Sequence, residues 1–279
     1  MISGRTQLVA HLGYPTEAFK APMIYNPWFE RAGVDAVVVP IGVRADDFAR
    51  MLDALARVTN LRGALVTMPH KVQTMALVAD ASPTARIAGA ANALLLRADG
   101  TWRADQFDGA GFVRGVERKG KKVAGIRAIV SGAGGVGSAI AASLAAAGVA
   151  ELMLYDRDAK AADALRGRLV EHYPKLVVRT GSSDPAGFDL VVNATPLGMR
   201  PGDPLPFDVE RIATQAFVGE VVMASEITPL LAAARARGCA IQPGTDMLFE
   251  MIPAYLEFFG FGAATPEELR AVSQIRPDS

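Results

Sequence analysis

The stretch RAIVSGAGGVGSAIAASLAAAGVAELMLYD (127–156) constrains the fold of this 279-residue chain more than any other. It reads strand, glycine turn, helix, strand. Ile129 and Val130 lead into Gly132, Gly134 and Gly137, Ala- and Leu-rich residues run to Ala147, Gly148 stops them, and a second apolar run ends on Asp156. In a dinucleotide-binding βαβ unit the first glycine makes the tight turn and the second lets backbone approach the pyrophosphate. The third lets helix and strand pack closely. The pyrophosphate then rests on free N–H groups at the positive end of the helix. An acid about 20 residues on takes the ribose hydroxyl, and Asp156 stands at that place. Strand, turn, helix and acid in register predict a Rossmann-type coenzyme domain.

A coenzyme domain opening near residue 121 leaves roughly 100 residues ahead of it. They too alternate. QLVAHL (7–12), DAVVVPIGV (35–43), RGALVTM (62–68) and ANALLLR (91–97) are β-rich runs. Phe48, Met51, Leu52, Leu55 and Ala56 recur at helical spacing behind Asp46 and Asp47, which suit a helix start. A second helix is expected over Met23–Ala32, kinked or split at Pro27. Beyond Asp156 the alternation resumes with a helix at 165–173 and strands at 175–179, 189–195 and 217–223. A helix follows at 228–238, with a Thr cap and Pro at its first position. The last helical pattern runs from Met247 to Phe259, interrupted by Pro253. The expected fold is therefore α/β with largely parallel strands. Residues 1–103 with the C-terminal helices (244–279) form a substrate domain, and residues 104–243 form the coenzyme domain. A cleft between two such domains would put coenzyme on one wall and a small-molecule substrate on the other.

Composition narrows the partners. Lys plus Arg and Asp plus Glu number 29 each, so no global basic field recruits nucleic acid or an anionic membrane. The apolar stretch at 126–155 is broken by glycines and Glu151, so no membrane span is expected. A single cysteine, Cys239, excludes an internal disulfide and fits a reducing, cytoplasmic setting. The three histidines are scattered, no spacing matches a metal site, and no metal is expected. The pattern fits a monomer or a homodimer equally.

Carbonyl reduction with a nicotinamide coenzyme needs a proton donor beside the carbonyl oxygen. Lys71 closes VTMPHK (66–71) just past a predicted strand end, where α/β folds place ligands. Asp108 lies in DQFDGAGF (105–112), on the approach to the coenzyme domain. A Lys–carboxylate pair there could exchange protons with substrate, although locally two solvated surface charges are the plainer reading.

The order of motifs changes that balance. VTMPHK, GAANALL (89–95), DQFDGAGF, SGAGGVGSA (131–139), DLVVNATPLGM (189–199) and PGTDMLFEM (243–251) resemble, in order and spacing, the shikimate dehydrogenase family over about residues 7–260. That family reduces 3-dehydroshikimate with a nicotinamide coenzyme. Its N-terminal domain binds substrate, and its C-terminal helix folds back on that domain. The resemblance implies catalytic roles for Lys71 and Asp108 and substrate contacts from Thr67 and Asn92. It further implies coenzyme contacts from Gly132, Gly134, Gly135, Val136, Gly137, Asp156, Arg157, Asn193 and Thr195.

The substrate positions depart from the family. Its entrance motif G-N-P-x-x-H-S-x-S-P, whose serines grip the substrate carboxylate, reads GYPTEAFKAP (13–22), with Phe19 and Ala21 at the serines. The Asn of N-V-T-x-P-x-K is Leu65, and the Thr after Asn92 is Ala93. N-T-D-G begins Gln106-Phe107, a Tyr late in the coenzyme domain becomes Met223, and the C-terminal helix Gln becomes Met251. Polar groups have become apolar, and each unmet hydrogen bond costs about 1–3 kcal/mol. The expected substrate is therefore one other than, or additional to, shikimate. A shikimate or quinate dehydrogenase with a rearranged pocket is the alternative. NADP-using members show Asn-Arg-Thr after the second strand, where this chain has Asp156-Arg157-Asp158. An acid that accepts from a free 2′-hydroxyl favours NAD over NADP. Methylenetetrahydrofolate or amino-acid dehydrogenases would also use two such domains, but the VTMPHK and DQFDGAGF context argues against both. A coenzyme-binding regulatory protein without catalysis is the alternative of another class. Retention of Lys71, Asp108 and Asn92 together favours an enzyme over it.

Overall fold

A computed structural model describes residues 2–275. The β-rich runs of the first half become β1 (Gln7–Gly13), β2 (Ala36–Gly42), β3 (Leu61–Val66), β4 (Asp80–Ala81), β5 (Ala93–Leu96) and β6 (Trp102–Asp105). They form one sheet in the order β2-β1-β3-β5-β6-β4. The second sheet holds β7 (Arg127–Ser131), β8 (Glu151–Tyr155), β9 (Val177–Thr180), β10 (Leu190–Asn193), β11 (Phe217–Glu220) and β12 (Ala240–Gln242). Its order is β12-β11-β10-β7-β8-β9, and every pairing in it is parallel. That is the doubly wound order, with its switch point between β7 and β10, where such sheets open a ligand crevice.

The first sheet is less parallel than expected. β5 runs antiparallel to both β3 and β6. The cause is local: Asp99-Gly100 makes a hairpin turn, with Gly100 at φ 81° and Arg97 N–H bonded to the Thr101 carbonyl at 2.9 Å. An Asp-Gly pair between β-rich runs is a hairpin signal, but Trp102–Asp105 is too short a run to mark the second strand in the sequence.

The helices are α1 (Pro22–Ala32), α2 (Phe48–Leu55), α3 (Pro83–Ala88), α4 (Asp108–Arg118), α5 (Gly135–Ala146), α6 (Ala159–His172), α7 (Pro229–Ala236), α8 (Gly244–Phe259) and α9 (Pro266–Val272). Neither internal proline ends its helix. Pro27 lacks the N–H that would bond to the Met23 carbonyl, and that carbonyl instead accepts the Gln274 N–H at 2.9 Å. The C-terminal segment thus satisfies the group the proline leaves open. Around Pro253, α8 is held by burial on both sides: Leu248, Phe249 and Ile252 precede it, and Tyr255, Leu256 and Phe259 follow.

That buried face brings α8 back onto the first sheet. Its apolar side chains join Ile24, Tyr25, Trp28 and Phe29 of α1 over Val9, Leu65 and Ala93. Each fully buried side chain of this size contributes about 1.5–3 kcal/mol. In the second half α5 is built of small residues and buried nearly all round, against β7 and against α4. Glycine at 109 is required there, since a Cβ would collide with the Ala139 carbonyl. Among the described residues, no helix is long and apolar enough to cross a membrane.

Candidate active site

The glycine turn lies at the switch point. Gly132 N–H donates to the Tyr155 carbonyl and Ala194 N–H to the Ser131 carbonyl, both at 2.7 Å, so the turn is pinned to the strands on either side. The three glycines differ in their surroundings. Gly132 takes φ 104°, a conformation that favours glycine. A Cβ on Gly137 would fall on the Gly132 carbonyl, whereas one on Gly134 would meet nothing within 4 Å. The backbone is therefore open only where a pyrophosphate would approach. α5 begins at this opening with no side-chain cap, in contrast to α3 and α7, capped by Ser82 and Thr228. Its first amides are left for an anion, so the cradle of Gly134, Gly135, Val136 and Gly137 fits a dinucleotide.

The loop after β10 completes that wall. Asn193 Oδ1 accepts from the Thr195 hydroxyl at 2.7 Å and from its N–H at 3.0 Å, and Asn193 Nδ2 donates to the Leu197 carbonyl at 3.0 Å. Both side chains shape the loop whose Ala194 packs on Gly132 and Gly137. Glu220 at the end of β11 is fully buried and accepts from Asn193 Nδ2 at 3.3 Å. Burial raises its pKa, opposed by hydrogen bonds from Thr228 and Asn193.

Lys71 and Asp108 come together beyond the ends of β3 and β6. Lys71 Nζ donates to Asp108 Oδ2 at 2.6 Å, and both residues are buried. The Lys71 loop leaves the end of β3 through a cis Met68–Pro69 peptide. Asp108 opens α4, where the helix dipole favours a carboxylate. The pair also meets the coenzyme wall: a Cβ on Gly135 would stand 3.0 Å from Lys71 Cβ. An ammonium group paired in a buried site beside a dinucleotide cradle is placed to exchange a proton with a substrate oxygen.

Around the pair, Asn92 Oδ1 accepts the Phe107 N–H at 3.0 Å and Gln106 Oε1 accepts the Asp108 N–H at 2.9 Å. Their amide nitrogens, Asn92 Nδ2 and Gln106 Nε2, are buried without partners. Thr67 lies beside Gly13 and Phe19 at the end of β1. Ala21 is buried in the α1–α8 cluster, and Met251 packs on Gly111 of α4. His11 is the residue the sequence did not single out. It lies in β1 between the buried Ala10 and Leu12, with its ring stacked on Phe19 at 4.1 Å. Burial, and secondarily the Lys71 charge, lower its pKa to about 3. The available signal was a histidine in an otherwise apolar strand, at the two-residue spacing that shares a face with Val9.

Fold and site together define a nicotinamide-dependent oxidoreductase of the two-domain α/β class. Residues 12–94 match the family model of the shikimate dehydrogenase substrate-binding domain, and residues 112–161 match that of the ThiF family, across the βαβ unit. A shikimate dehydrogenase (NADP(+)) of Acidiphilium cryptum is 37% identical over 98% of both chains. One of Rubrobacter xylanophilus is 38% identical over 88% of both. The crystal structure of a shikimate dehydrogenase with NADP+ superimposes with a TM-score of 0.89 at 23% identity, over 98% of this chain and 96% of that one. The chain belongs to the shikimate dehydrogenase family, oxidoreductases that act on CH–OH donors.

These relatives correct one expectation. Asp156 argued for NAD, yet the relatives are named for NADP(+). The geometry supplies a reason. Asp156 Oδ2 accepts the Ala133 N–H at 2.6 Å and Oδ1 accepts the Asp158 N–H at 2.9 Å, so both oxygens are engaged in shaping the turn. An acid with that role is no longer a marker for a ribose hydroxyl, and the neighbouring Arg157 is exposed.

Proposed function

We propose that this chain is an NADP(H)-dependent oxidoreductase that interconverts a ring hydroxyl and a ketone on a small molecule other than shikimate. The observation that carries this is the buried Lys71–Asp108 pair, 2.6 Å long, set against Gly135 of the coenzyme cradle. NADP(H), when bound, supplies or accepts the hydride. Lys71 Nζ gives the proton to the substrate oxygen or takes it back, and Asp108 Oδ2 holds the ammonium in line. The amides of Gly134 to Gly137 would hold the pyrophosphate, and Arg157 would take the 2′-phosphate, for which a guanidinium is suited. Asn193 and Thr195 hold the adjoining loop. Residues 1–103 with the C-terminal helices serve as the substrate domain and residues 104–243 as the coenzyme domain, in a cytoplasmic enzyme.

The substrate part rests on side chains that offer a carboxylate nothing. Phe19 is committed to stacking on His11, Ala21 is buried in the core, and Leu65 and Ala93 face the same core. Losing several hydrogen bonds at about 1–3 kcal/mol each lowers shikimate affinity by orders of magnitude. A shikimate or quinate dehydrogenase with a rearranged pocket is the second reading, favoured by unpartnered donors on Asn92 and Gln106 that ring hydroxyls could fill. Steady-state oxidation of shikimate with NADP+ separates the two. The first expects kcat/KM below about 10³ M⁻¹s⁻¹, under the usual enzyme range of roughly 10⁴–10⁸ M⁻¹s⁻¹; a value inside that range establishes the second.

A further inference from the structure

His11 lies two residues beyond Val9 on the face of β1 that meets α1 and α8. It is only 8% exposed, and its Nδ1 has no hydrogen-bond partner. One face of the ring is covered by Phe19, which fixes the imidazole plane. An unpartnered buried nitrogen costs about 1–3 kcal/mol, a cost that a bound ligand atom would remove.

Asn92 Nδ2 and Gln106 Nε2 share this condition. Their orientation is settled, because the oxygen of each amide already accepts a backbone N–H. Three buried, partnerless nitrogens therefore accompany the Lys71–Asp108 pair. The Lys71 charge acts on His11, so the two groups share one environment, and at neutral pH the imidazole is uncharged. Lys71, the cation of that environment, is already paired with Asp108, so a carboxylate seated against a neutral imidazole and a phenyl ring would lose its hydration with the nearby counter-charge engaged elsewhere. An uncharged oxygen would lose far less and could still use Nδ1.

We infer that His11 is a substrate-recognition residue, hydrogen-bonding through Nδ1 an uncharged oxygen of a hydroxylated ring whose other oxygens reach Asn92, Gln106 and Lys71. The assignment rests on the reading of Lys71 and Asp108 as the reaction centre.

The test compares shikimate with its methyl ester, which keeps the ring hydroxyls and removes the charge, on the full chain with NADP+. Expected are a lower KM for the ester than for the acid and a rise of about ten-fold or more in the ester KM on His11→Val, with kcat changed less than about three-fold. His11→Asn, which keeps a polar atom near the Nδ1 position, should recover most of the loss. An acid KM equal to or below the ester KM overturns the assignment, as does an ester KM that His11→Val leaves unmoved. If neither compound turns over, binding to the NADP+-loaded Lys71→Ala protein decides. Ester binding that His11→Val weakens upholds recognition and places the error in the reading of Lys71. Absence of ester binding overturns the recognition itself.

Discussion

Burial sets the charge of His11, and the consequence is measurable in the stability of the fold. The folded imidazole titrates near 3, against an ordinary value of 6.5. Between those values the unfolded chain binds more protons, so stability present above pH 6.5 is lost as pH falls towards 3. The full swing is at most roughly 5 kcal/mol. His70, stacked on Phe48, is lowered in the same direction, so a His11 variant removes only part of the effect. Urea unfolding from pH 7 to 4 should show a shallower loss for His11→Asn than for the unaltered protein; parallel curves would refute the buried neutral ring. Legibility varies at this scale. Lys71 and Asp108 were legible through the order of the family motifs around them, since locally two solvated surface charges were the plainer reading. Asp156 misled because a carboxylate accepts from backbone as readily as from ribose. His11 was silent because only the folded chain shows that its nitrogen lacks a partner.

Among the elements, the turn into α5 has glycines with separable duties. At Gly137 any side chain meets the Gly132 carbonyl and, at 3.2 Å, Ala194 Cβ. Gly137→Ala must shift backbone and should cost about 1–3 kcal/mol of stability along with coenzyme binding. At Gly134, φ −72° suits alanine and a Cβ meets open space. Gly134→Ala should fold within about 1 kcal/mol of the parent yet weaken NADP+ at least about ten-fold, because the methyl stands where the pyrophosphate approaches. Thermal melts paired with NADP+ titrations check both, and identical behaviour of the two variants would contradict this division. Most of the elements were legible because alternation of period 2 and period 3.6 survives in the residue pattern. The course of α1 through Pro27 was not, since its compensation comes from Gln274, a residue far away in the chain.

Across the whole molecule, the two sheets are joined where Ile87 and Ala88 of α3 and Phe112 and Val113 of α4 pack into the core around α5. Arg168 of α6 reaches over to α3 and donates to the Ile87 carbonyl at 2.9 Å and the Ala88 carbonyl at 3.1 Å. A cation on carbonyls at a helix C-terminus is favourable, and Gly89 leaves room for the guanidinium. Arg168→Met should loosen this link and raise KM for substrate and for NADP+ together, by about three- to ten-fold, as changes between lobes do. Initial-rate kinetics with each ligand varied would show it, and a change in only one KM would refute the link. The central claim is that the halves meet at Lys71, with Gly135 of one against the lysine of the other. The most direct test is Lys71→Ala, with NADP+ affinity measured by titration and turnover measured on the methyl ester of shikimate. The structure predicts a fall in kcat of about 10²–10⁴ with the NADP+ dissociation constant within about three-fold of the parent; a kcat that stays within about ten-fold of the parent would contradict it.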